Sequence, residues 1–122
     1  KAEFVLKTAE STDETGYVSF RVSEKIVSFG MDSPANKASA TTFLGPEGAF
    51  SNLCKYFGDV AAQKQVNAAW AANEQGGTMV LTGKSTGPQM AGAPFVGAGV
   101  NEKGDCDIRI YDAKGKPVWV AP

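Results

Sequence analysis

The sequence predicts an α+β fold: a single domain over residues 1–122, built mainly on an antiparallel sheet of about five or six strands with one helical layer over residues 46–75. Three observations predict it. Near both ends, apolar and polar residues alternate with a period of two. Val18, Phe20 and Val22 interleave with Tyr17, Ser19 and Arg21, and Cys106, Ile108 and Ile110 interleave with Asp107, Arg109 and Tyr111. That is the pattern of half-buried strands. In the middle, Phe50, Leu53, Phe57, Val60 and Ala61 recur at spacings of three and four, the spacing of one helical face. Finally, 122 residues with 43% hydrophobic and 20% charged side chains are an ordinary globular composition for one domain.

Taken in order, Phe4-Val5-Leu6 is a short apolar run, and residues 11–16 form a polar turn cluster ending in Gly16. Strands follow over 17–22 and 26–31, joined by Ser23-Glu24-Lys25, with one long bent strand as the alternative. Residues 32–42, with Pro34 and Asn36, read as a loop, and Phe43-Leu44 as a short strand. Gly45-Pro46-Glu47 reads as a helix start, because proline suits the first helical position and an acid suits the first turn. Gly58 divides the helical region, with Asp59 as the N-cap of its second half. Val66 and Trp70 stand four apart, and the alanines at 61, 62, 68, 69, 71 and 72 add helix propensity. Gly76-Gly77 stops it. Met79-Val80-Leu81 is a strand. After a charged turn over 101–105 come a strand over 106–111, a turn at Asp112–Gly115, and a last strand at Val118-Trp119-Val120. Pro117 places that strand at an edge or at a strand start.

The chemistry is bounded by what is missing. There is no histidine, which removes Ser-His-Asp and Cys-His catalysis, His-ligated metals and histidine pH switches. Lys+Arg number 12 and Asp+Glu 13, too balanced for a broad grip on nucleic acid. Gly83-Lys84-Ser85 resembles the end of a phosphate-binding loop. However, Thr78 stands where that motif needs glycine, and Gly87-Pro88 follows instead of a helix. The acids at 102, 105 and 107 surround Lys103 and read as a solvated turn, so no metal and no cofactor are expected. No run of 18 apolar residues occurs, so no membrane span is expected. The chain starts at Lys1, which fits a mature chain after signal-peptide removal as well as a trimmed start.

Cys54 and Cys106 leave three readings open. They are two reduced, buried thiols; or one disulfide, which would stabilise the fold by roughly 4 kcal/mol and favour a secreted or periplasmic setting; or a catalytic thiol, for which no base is in sight.

Residues 83–100 hold five glycines and two prolines, yet also Met90, Phe95, Val96 and Val100. One reading is a packed loop covering the end of the sheet. The other is a partner-facing loop with Met90, Pro94, Phe95 and Val96 as contact residues. The functional expectation is a small non-enzymatic protein-binding domain, of the kind found in secreted or phage-encoded inhibitors and immunity proteins. It would act on another protein through that loop. One alternative is a structural subunit of a virion or surface assembly, hence a homo-oligomer, joined through the edge strand at 117–121. Another is a small carboxylate- or thiol-dependent enzyme.

Overall fold

The structure is a computed structural model, and it describes residues 2–7, 15–58, 64–86 and 91–121. Ten strands lie side by side in chain order in one antiparallel sheet: β1 (Ala2–Lys7), β2 (Tyr17–Val22), β3 (Val27–Ser33), β4 (Ala38–Gly45), β5 (Gly48–Phe57), β6 (Lys64–Asn73), β7 (Gly76–Thr82), β8 (Phe95–Val100), β9 (Cys106–Tyr111) and β10 (Pro117–Ala121). The sole helical element among the described residues is a single 3-10 turn, Pro34–Asn36. The expected α+β architecture is therefore corrected to an all-β meander, and the helical layer over 46–75 is replaced by the two longest strands, β5 and β6.

The reason lies in the partners of those residues. Phe50 and Leu53, which a helix would place on one face, are an odd number of positions apart in a strand and so point to opposite faces. Ser51, Leu53 and Lys55 pair with Trp70, Ala68 and Val66, while Phe50, Asn52 and Cys54 pair with Ala71, Ala69 and Asn67. The alanines that raise helix propensity serve here as small partners of large side chains. Leu53, Ala68, Leu81 and Val96 form one row across four strands, and Ser51, Trp70, Met79 and Ala98 form the next. Cross-strand packing of this kind overrides an intrinsic preference worth tenths of a kcal/mol per residue. The second half of the helical pattern, at 59–63, lies outside the described residues.

Other boundaries shift for related reasons. The stretch 32–42, expected as a loop, is mostly strand: the chain turns over Pro34–Asn36 and re-enters the sheet at Ala38. Gly45-Pro46-Glu47 opens a two-residue hairpin connection, with Gly45 paired to Gly48. The Glu74-Gln75 connection before Gly76 is built in the same way. The glycine after each turn is required. Gly48 (φ +142°) and Gly76 (φ +129°) sit where L side chains are strained, and a Cβ there would overlap the carbonyl oxygen of Ala72 and of Val100 respectively. The first residue after each short turn is thus pressed against the end of the next strand over, β6 for Gly48 and β8 for Gly76. The Ser23–Ile26 hairpin, the strand at 106–111 and the turn closed by Gly115 (φ +77°) stand where the sequence places them. Pro117 does begin an edge strand, and β10 carries an irregularity between Pro117 and Trp119.

Candidate interaction surface: the apolar face of the sheet

Paired residues in an antiparallel ladder share a face, so the register divides the strand residues into two sets. One face carries Phe4 and Leu6 of β1; Val18, Phe20 and Val22 of β2; Val27, Phe29 and Met31 of β3; Ala40 and Leu44 of β4; and Leu53 of β5. It continues through Val66, Trp70, Met79, Leu81, Val96, Val100, Ile108, Ile110 and Trp119. Among the described residues, its charged members are Lys55 and Lys64, both beside the 58–63 connection. The other face carries Glu3, Tyr17, Ser19, Arg21, Asp32, Ser39, Thr41, Asn52, Cys54, Gln65, Asn67, Thr82, Asp107 and Arg109, interspersed with small residues and with Val5, Phe43, Phe50, Val80, Phe95 and Val120, of which Val5, Phe43, Phe50 and Val120 are exposed.

The apolar face is open to solvent. Trp70 is 57% exposed and Phe4 58%. Phe20, Val22, Met31, Leu44, Leu53, Leu81, Ile108 and Trp119 are exposed as well. Among the described residues just two side chains are buried, Cys54 at 7% and Ser85 at 1%, and neither is on this face. Its side chains touch one another without being covered. The rings of Phe4 and Phe20 stand 6.3 Å apart and those of Phe20 and Phe29 stand 4.7 Å apart. In its middle lies a shallow trough of about 640 Å³, where Ser51, Ala72, Gly77 and Ala98 lie low between Trp70, Met79, Val100 and Ile108. Leaving a large apolar side chain in water forgoes roughly 1.5–3 kcal/mol of burial. Exposed apolar patches of more than a few hundred Å² are the kind that meet another protein, a membrane or a ligand.

On the other face, charged and polar groups find partners within the chain. Arg21 pairs with Glu3 at 3.1 Å and Arg109 with Asp107 at 2.5 Å. The Cys54 thiol donates to Gln65 Oε1 at 3.4 Å. Burial pushes that thiol above its ordinary pKa, partly offset by a hydrogen bond with Tyr56, and the same hydrogen bond raises Tyr56. A thiol held in its neutral form is a poor nucleophile. Ser85 closes the β6 end, its Oγ accepting from the Gln65 amide at 2.7 Å while its own amide donates to the Gln65 carbonyl at 2.9 Å. Lys84, weighed as part of a phosphate loop, lies over the Phe57 ring at 4.7 Å.

The contact residues named from sequence are not brought together as one loop tip. Met90 lies outside the described residues. Pro94 is exposed at the end of the connection. Phe95 opens β8 on the polar face, stacked on Tyr111 at 4.6 Å, and Val96 points to the apolar face. Residues 95–100, expected as loop, are a full strand in which Gly97 and Gly99 pair with Arg109 and Asp107. Cys54 and Cys106 are free, on strands four places apart and on opposite faces. At roughly 4.8 Å per strand their Cα atoms are far beyond the 7 Å reach of a disulfide. No group of three or more Cys, Asp or Glu side chains able to hold a metal occurs among the described residues, and no helix there is long and apolar enough to cross a membrane.

Comparison with family models, with curated proteins and with solved structures returned no match to this chain.

Proposed function

We propose that this chain is a non-enzymatic binding domain that recognises protein through the apolar face of its sheet. One observation carries the reading: large side chains run from Phe4 on β1 to Trp119 on β10, exposed, with charge among the described residues of that face confined to two lysines at one end. Among the described strand residues that face offers a polar substrate few hydrogen-bonding groups: the Thr42 and Ser51 hydroxyls, which bond each other at 3.1 Å, the Ser33 hydroxyl, the Cys106 thiol, the two lysines and the indole N–H groups of Trp70 and Trp119. The loop at 83–94 keeps a supporting role. The Gly83 amide donates to the Pro94 carbonyl at 2.7 Å, and the Thr86 amide to the Ala91 carbonyl at 2.8 Å, so its two described ends are tied to each other.

Cys106 supplies the test, because it lines the apolar trough and is exposed. A photoactivatable cross-linker placed on Cys106 in a Cys54→Ser background should yield a covalent adduct with a polypeptide in the native source. Adducts with lipid or solvent alone, under conditions where the same label is incorporated fully, would contradict the reading.

A further inference from the structure

Resting on the reading of the apolar face as a protein-contact surface, we infer that its occupant is a second copy of this chain, packed face to face as the other layer of a β-sandwich. Stable domains bury the apolar side of a sheet against a second layer. This chain supplies one layer, and its buried side chains among the described residues are Cys54 and Ser85 alone. The second layer must come from outside the sheet, and it must be present whenever the chain folds. A second copy meets that condition by stoichiometry.

Area agrees. The accessible surface is 8540 Å² for 12.8 kDa, against about 6,300 Å² for a compact monomer of that mass. Nine spacings between ten strands make the face about 43 Å wide, and six or seven residues make it about 20 Å tall. Two such faces in contact bury about 1,700 Å² in plan, within the range of stable protein interfaces.

Shape and charge agree as well. Sheets pack face to face about 10 Å apart with interdigitating side chains. This face offers both halves of that fit: projecting Leu53, Leu81 and Trp70, and low ground at Ala72, Gly77 and Ala98. A two-fold axis running across the strands would set the end bearing Lys55 and Lys64 over the short-turn end of the other copy, keeping like charges apart. A lipid bilayer is the poorer fit. Strands that span a membrane need about 9–11 residues, and among the ten only β5 and β6, at 10 residues each, reach that length.

Sedimentation equilibrium on the purified full chain, with the midpoint of thermal unfolding measured across protein concentrations, tests this. The expected result is a two-chain species and a midpoint that rises by about 3 °C or more per tenfold in concentration. Trp70→Lys on the apolar face should weaken association at least about 100-fold. Asn52→Lys, on the opposite face of the neighbouring strand, should leave it unchanged, which separates a lost contact from a lost fold. A monomer at all concentrations whose Cys106 reacts freely with a thiol reagent would overturn the homodimer while leaving the apolar face as a binding surface. A monomer whose Cys106 is protected would overturn both, because the chain would then be covering its own face. Recovery of a monomer in phosphatidylcholine vesicles would likewise overturn both, in favour of lipid.

Discussion

The two faces of this sheet are made from the same ten strands, yet they solve opposite problems. On the polar face, charged and polar groups meet partners within the chain, with Arg21 on Glu3, Arg109 on Asp107 and Cys54 on Gln65, and its exposed large apolar residues, Val5, Phe43, Phe50 and Val120, are scattered among them. On the apolar face, side chains such as Leu53, Leu81 and Trp70 line up in register and meet water. A face that is internally satisfied gains little from a partner. One whose burial is unfinished gains most of its stability from it. The proposed contact surface is therefore the face where burial is incomplete.

The sharpest way to break this comparison is to exchange charge between neighbours in sequence. Leu53→Lys should cost at least about 2 kcal/mol of association, because a desolvated charge would face an apolar layer. Asn52→Lys, one residue away and on the other side, should cost less than about 0.5 kcal/mol. Equal losses in chemical denaturation and sedimentation would mean that the faces are not distinct.

A second test concerns the turns that set the register of both faces. Gly76→Ala must place a Cβ into the Val100 carbonyl at a strained φ, and should destabilise by more than about 1 kcal/mol. Gly115→Ala, where nothing lies within 4 Å of the new Cβ, carries the conformational penalty alone, of about 1 kcal/mol. Thermal unfolding of the two variants should rank them in that order.

Smaller effects separate the cysteines. Cys106, exposed on the apolar face, should react with a thiol reagent in dilute protein on the order of tenfold faster than Cys54, which is buried with its pKa raised. The raised pKa also has a sign in stability. The folded state holds the Cys54 proton more tightly than the unfolded state does, so its contribution is complete below the ordinary thiol value of 9.0 and is lost as pH rises through the folded value. Cys54→Ser should flatten the alkaline decline measured by denaturation between neutral pH and pH 10, and a steeper decline would contradict the assignment.

Much of the sheet was legible in the sequence. Strands such as 17–22 and 106–111 alternate strictly because one face is polar and charged there, with Arg21, Asp107 and Arg109 marking it. The central strands were not legible, because large apolar residues stand on both of their faces. Phe50 and Leu53 lie on opposite sides, the period of two disappears, and an accidental three-four spacing with alanines imitates a helix. The candidate surface was missed for the same reason. No motif defines it. It consists of residues that look like core one at a time, such as Met79 and Ile110, and becomes a surface only when the register shows that no second layer covers them. The signal that was available was the repeated short hairpin. Two-residue turns followed by glycine at 48 and 76 argue for a meander rather than helix boundaries.

The central proposal is that the apolar face is a contact surface between two copies of this chain, and its most direct measurement uses the cysteine already on it. In Cys54→Ser protein, the rate of Cys106 modification should fall as protein concentration rises, because association covers the trough. A rate that is independent of concentration, whether fast from a face that stays bare or slow from one covered by its own chain, would contradict the account.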